Sequence, residues 1–146
     1  MKNYQETRNL LLTLYKDNLL SYENKLNIYN EYIYCIRKLA YIGNFEAQYD
    51  LAQHYEDSGF WGCPNPYFNN KKRFYWYLKS ANNGNGEAFN NLADLFERGD
   101  GCIKDLDKSI TFYKKAMELG SSLGKKNYKK MLKDFENGGI YFKSSR

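Results

Sequence analysis

From Asn85 to Gly120 small and apolar side chains return at helical spacing: Ala88, Leu92, Ala93 and Phe96 fall at i, i+4, i+5 and i+8 on one face. Gly99 and Gly101 end that run. A second stripe, Ile110, Tyr113, Ala116 and Met117, follows Asp107, which stands where an N-cap would, and it stops at Gly120. The pattern predicts two short helices around a glycine turn. Neither would hold alone, since an isolated helix of about 12 residues is marginal in water. The same unit occurs once before. Ala47, Leu51, Ala52 and Tyr55 match the first stripe at a shift of 41, and Trp76 to Ala81 with Gly84 match Phe112 to Met117 with Gly120 at a shift of 36. The difference is an insertion in the turn, where Gly62-Cys63 lies opposite Gly101-Cys102. Periods of this size signify an array of stacked units.

The flanks carry weaker versions of the pattern. Residues 3–19 place Leu10, Leu11, Leu14, Tyr15 and Leu19 at helical spacing, and Asn18 and Ser21 break and recap the chain. A longer helix over 22–42 presents Leu26, Tyr29, Ile33, Ile36 and Ala40 and ends at Gly43, as later units end at Gly84 and Gly120. Helices over 44–57 and 71–83 enclose a loop with Phe60, Trp61, Tyr67 and Phe68 beside Pro64 and Pro66. Such rings either cover the end of a helix pair, with Trp61 and Phe68 folded back, or form a rigid contact element. After Ser121-Ser122 a helix with Tyr128, Met131, Leu132 and Phe135 on one face carries Gly124 in the place of Ala88. Lysines fill its other side, as a capping helix requires. Asn137-Gly138-Gly139 ends it before an apolar tail, Ile140-Tyr141-Phe142.

The turn Gly101-Cys102-Ile103-Lys104-Asp105, the run Lys108-Ser109 ahead of Phe112-Tyr113-Lys114-Lys115-Ala116, and Trp76-Tyr77 in the earlier copy resemble the Sel-one-like repeat (SLR) family, relatives of the tetratricopeptide repeat. The spacing matches across residues 43–120, with Ala in place of the family's Gly after Leu51 and Leu92 and Cys in place of its Val in both turns. The resemblance implies an all-α, right-handed α/α superhelical solenoid of about seven helices, in one domain over 1–146. Its parts are a degenerate N-terminal hairpin (1–43), repeats over 44–84 and 85–120, a capping helix (121–137) and a tail (138–146).

Composition narrows the chemistry. Aromatics make up 18% of the chain and only two prolines interrupt it, which favours packed helices over disorder. The net charge of +5 is unevenly placed: residues 43–120 hold nine basic against eleven acidic side chains, residues 121–146 seven against two. The pI therefore says little about a binding face in the repeats. Cys35, Cys63 and Cys102 are odd in number and lack a CxxC, so they point to a reducing compartment and neither a disulfide framework nor a zinc site. No run approaches the roughly 20 apolar residues that span a bilayer, and the start reads as no signal peptide. A cytoplasmic location is expected. His54, the one histidine, has no partner set by any motif; Gly99-Asp100-Gly101 lacks the strand and G-K-[ST] of a phosphate loop; Asp105 and Asp107 lack the further ligands of a calcium loop. No catalytic residue, metal or cofactor is expected.

Binding is the better fit. In the related tetratricopeptide fold the first helix of each pair lines the concave side. Carried over, the exposed positions are Glu46, Tyr49, Gln53 and Glu56, then Glu87, Asn90, Asp94 and Glu97, with Lys126, Lys130 and Lys133 on the cap; Trp61 and Phe68 of the aromatic loop join them as candidate contacts on their own pattern. The groove is expected to be acidic and aromatic at its centre and to take a protein partner with a basic surface. The resemblance implies an adaptor, scaffold or inhibitor, and by analogy a bacterial immunity protein that plugs a toxin. The alternative is a nucleic-acid-binding protein that tracks phosphates with the lysine-rich last helix beside Tyr128 and Tyr141; the acidic centre argues against it. A hydrolase using His54 and a cysteine is the weakest reading.

Overall fold

The computed structural model describes residues 1–17, 19–58, 60 and 62–137. These form seven helices: α1 (Tyr4–Lys16), α2 (Tyr22–Tyr41), α3 (Phe45–His54), α4 (Asn70–Asn82), α5 (Gly86–Arg98), α6 (Leu106–Glu118) and α7 (Ser122–Glu136). Each packs on its neighbour in the chain, and α5 also meets α7. The result is an all-α helical repeat solenoid. The two clear units superpose in burial as well as in sequence: Ala47, Leu51 and Ala52 are fully buried, as are Ala88, Leu92 and Ala93, and Tyr55 and Phe96 are both 8% exposed.

One device makes the junctions between helix pairs. At the end of α2 the N–H of Gly43 bonds to Ala40 O and that of Asn44 to Leu39 O, closing the open carbonyls in a Schellman turn. Gly43 has φ +99°, a conformation that glycine adopts without a Cβ clash. Asn44 then caps α3, its side chain accepting from Ala47 N at 2.8 Å. The pattern recurs with Gly84-Asn85 before α5 and Gly120-Ser121 before α7. One glycine and one polar residue thus stop a helix and start the next.

Three boundaries differ from the sequence expectation. Asp105, rather than Asp107, caps α6, because its N–H is held by Phe96 O at 2.9 Å, which leaves its carboxylate facing Lys108 N at 3.0 Å. The helix expected over 44–57 ends at His54. Asn65 Nδ2 donates to the carbonyls of His54 (3.0 Å) and Glu56 (2.7 Å), and Asn69 N to that of Tyr55, so these acceptors leave the helical ladder. The first helix stops at Lys16, short of the expected Leu19, which is exposed. The 57–70 loop is anchored by Phe60 and Tyr67: Phe60 stacks edge-on to Tyr29 at 5.3 Å and Tyr67 lies 4.5 Å from the ring of His54. Phe68 is 40% exposed, while Trp61 and the apolar tail lie outside the described residues.

Candidate binding face

The odd-numbered helices α3, α5 and α7 share a face with two depressions of about 300 and 260 Å³ that meet at Glu56. The first lies among α1, α2, α3 and the loop. Its wall holds Asp50, which accepts from Tyr4 Oη at 2.7 Å and Arg8 at 3.3 Å. Burial raises the Asp50 pKa against the opposing pull of Tyr4 and Arg8. His54 closes the same wall. Tyr29 Oη lies 2.7 Å from its Nδ1, and burial, with the charges of Arg37 and Lys72, lowers its pKa to about 4. The ring is therefore neutral at physiological pH, and with its proton on Nε2 it accepts the Tyr29 hydroxyl.

The second depression is floored by a line of side chains that crosses three helices. Asn127 on α7 donates to Asn90 at 2.9 Å, Asn90 to Asn91 at 3.2 Å on α5, and Asn91 to Tyr49 Oη at 3.1 Å on α3. Asp94 stands at the rim, where Arg98 donates to it at 3.0 Å. Arg73 from α4 lies beneath, 3.6 Å from Asp100.

Of the expected groove positions, Glu46, Gln53 and Glu87 are exposed, while Tyr49, Glu56 and Asp94 are half-buried on this face. Glu97 and Asn90 are not open positions. Glu97 is 1% exposed and accepts from Tyr113 Oη at 2.8 Å, and Asn90 is 4% exposed within the asparagine line. Tyr77 makes the equivalent bond to Glu56 one repeat earlier. In each repeat a glutamate at or just beyond the end of the first helix therefore reaches back to the tyrosine of the second, an internal tie that reads in sequence as surface charge. Lys126, Lys130 and Lys133 are exposed on α7. Sequence reasoning did not single out Asp50, Asn91 or Asn127; the periodicity of Tyr49 and Asn90, which hold the same register in the two repeats, was the available signal.

Cys35 is buried and Cys102 half-buried, its Sγ 3.5 Å from Leu95 O, whereas Cys63 is exposed and so is no packing group. Among the described residues no cluster of three metal-ligating side chains occurs, and no helix is long and apolar enough to cross a membrane.

The sequence pattern of the Sel1 repeat matches residues 45–85 and 87–121. Among solved structures the chain is similar to the crystal structure of a Sel1 repeat protein from Oxalobacter formigenes, with a TM-score of 0.57 and 24% identity over 66% of this chain. At that identity the likeness speaks for the fold, and this chain spans only 26% of that protein's length. No curated protein matches it.

Proposed function

The chain belongs to the Sel1 repeat family, and on that premise we propose that it is a non-enzymatic binding module whose α3–α5 face takes a basic segment of a protein partner. Sel1 repeats mediate protein–protein interaction, and proteins built from them are typically scaffolds without catalysis. The observation that carries the finer reading is the sorting of charge between helices. Helices α3 and α5 hold Glu46, Asp50, Glu87, Asp94 and Glu97 against Arg98, whereas α4 holds Lys71, Lys72, Arg73 and Lys79 with no acid. Of these, Glu46 and Glu87 are exposed and Asp94 stands at the rim, so a cation approaching the middle of this face within a Debye length of about 8–10 Å meets those three carboxylates, while the α7 lysines bound it at one end. Polar side chains in the two depressions would then read backbone and side-chain groups of the bound segment.

The module would act in the cytosol as an adaptor, scaffold or inhibitor, with residues 1–43 as a degenerate hairpin and 121–137 as the cap of one domain. Immunity to a basic toxin is the narrowest form of this reading. The test is affinity capture of the tagged protein from lysate of its source, with and without nuclease, comparing wild type with the Glu46→Lys/Glu87→Lys/Asp94→Lys variant at matched helicity. A basic protein held by the wild type and lost by the variant supports the reading. Equal capture by both contradicts it, as would nucleic acid released steeply by salt, which would transfer function to Lys125, Lys126, Lys129, Lys130 and Lys133.

A further inference from the structure

A second surface, built by α2 and α4, has the opposite chemistry. Tyr34, Lys38 and Tyr41 form one stripe on α2, and Tyr75 and Lys79 one on α4. The rings run from helix to helix: Tyr41 meets Trp76 edge-on at 5.2 Å, and Trp76 meets Tyr75 at 5.0 Å. Tyr41 is 71% and Ile42 69% exposed, a concentration of open apolar surface that marks a contact site more often than an inert one. Two shallow depressions of about 570 and 440 Å³ lie side by side here and share Tyr41 and Ile42. Their walls hold Arg37, Lys38 and Lys79 and no carboxylate. Lys38 also lines the next depression along, together with Glu6 and Glu31, and there Glu31 is 3.3 Å from Lys2.

We propose that this surface docks an acidic protein segment that carries an apolar anchor residue, and that it works independently of the α3–α5 face. The exposed Tyr41–Ile42 corner supplies the anchor site, and Arg37, Lys38 and Lys79, in two walls that hold no carboxylate, supply the charge. The lysines also decide between occupants. Lys38 Nζ sits 4.4 Å from the Tyr34 ring centre and Lys79 Nζ 5.5 Å from that of Tyr75. Those ring faces are covered by their own cations, so a nucleic-acid base would have to displace a lysine to stack. A carboxylate needs only the outward ammonium tip. With both surfaces filled, the solenoid bridges partners of opposite charge.

The test uses three fluorescein-labelled probes in anisotropy titrations: a glutamate peptide with leucine at every fourth position, the same peptide with glycine for leucine, and oligo-dT. The leucine peptide is expected to bind at least tenfold more tightly than the glycine peptide. Tyr41→Ser/Ile42→Ser and, separately, Lys38→Glu/Lys79→Glu should each lower its affinity at least tenfold, with helicity retained, while Glu87→Lys/Asp94→Lys should leave it unchanged. Equal binding of the two peptides, unchanged affinity in the Tyr41/Ile42 variant, or oligo-dT binding as tight as the leucine peptide would each overturn the proposal.

Discussion

Lowering the pH should destabilise this protein through His54 before most of its carboxylates titrate. His54 is 6% exposed, and its ring is packed between Tyr55 at 4.8 Å and Tyr67 at 4.5 Å. Its Nδ1 faces the Tyr29 hydroxyl, so a proton there would reverse that hydrogen bond and place a positive charge in a buried site. In the unfolded chain the imidazole takes its proton near pH 6.5; in the folded chain burial defers this to about 4. The contribution is complete above pH 6.5 and is lost as the pH falls through that interval, because only the unfolded state is protonating there. At about 1.4 kcal/mol per tenfold change, the loss is ~2 kcal/mol at pH 5 and at most ~3 kcal/mol below pH 4. For a chain of this size ~2 kcal/mol corresponds to a Tm shift of about 4–8 °C. Circular-dichroism melts of wild type and His54→Gln at pH 7.5 and pH 5 isolate the term, since every other group is common to both. The wild type should lose about 4–8 °C more than the variant. As the chain has one histidine, a single imidazole proton resonance reports its titration directly. A midpoint near 6.5, or equal losses in the two proteins, would refute the reasoning.

Further predictions concern the repeat ties and the loop. Gly101→Ala should cost ~3 kcal/mol or more in urea denaturation, because its Cβ would lie 2.4 Å from Asn70 O at a φ of +72°. Gly84→Ala, with φ +98° and open space around it, should cost only ~1–2 kcal/mol, and equal losses would contradict the close approach of α4. Tyr113→Phe should cost ~1.5–3 kcal/mol by depriving buried Glu97 of a donor, and measurably more than Tyr77→Phe, whose partner Glu56 is half-buried. Phe60→Ala should lower stability by ~3 kcal/mol, whereas Phe68→Ala should change it by less than ~1 kcal/mol; the reverse order would mean that the loop is anchored elsewhere.

The architecture was readable because stacked helices constrain the same positions in every unit. Ala47 and Ala88, or Leu51 and Leu92, occupy sites with no solvent exposure, and the Gly-polar pairs at 43–44, 84–85 and 120–121 each perform two capping tasks. The face was less readable. Periodicity assigns a side of the helix but not the partner of a polar residue near its edge, so Glu97 and Asp94, three positions apart, look alike in sequence although one is internal and one lies at a rim. The end of α3 depended on Asn65, a loop residue whose contacts with His54 and Glu56 no local pattern announces. The charge sorting was hidden for a different reason. The repeats sum to near neutrality along the chain, and the signs separate only when α3 and α5 are set apart from α4 and α6.

The central claim, that the α3–α5 face receives a basic segment, is tested most directly by NMR shift mapping of the isotopically labelled protein titrated with a short lysine–arginine peptide. Saturable changes are expected, confined to Gln53, Glu56, Asn91 and Asp94 with Asn127 on α7, and they should be lost in the Glu46→Lys/Glu87→Lys/Asp94→Lys variant. Changes centred on α4 and α6, or shifts that persist in that variant, would contradict it.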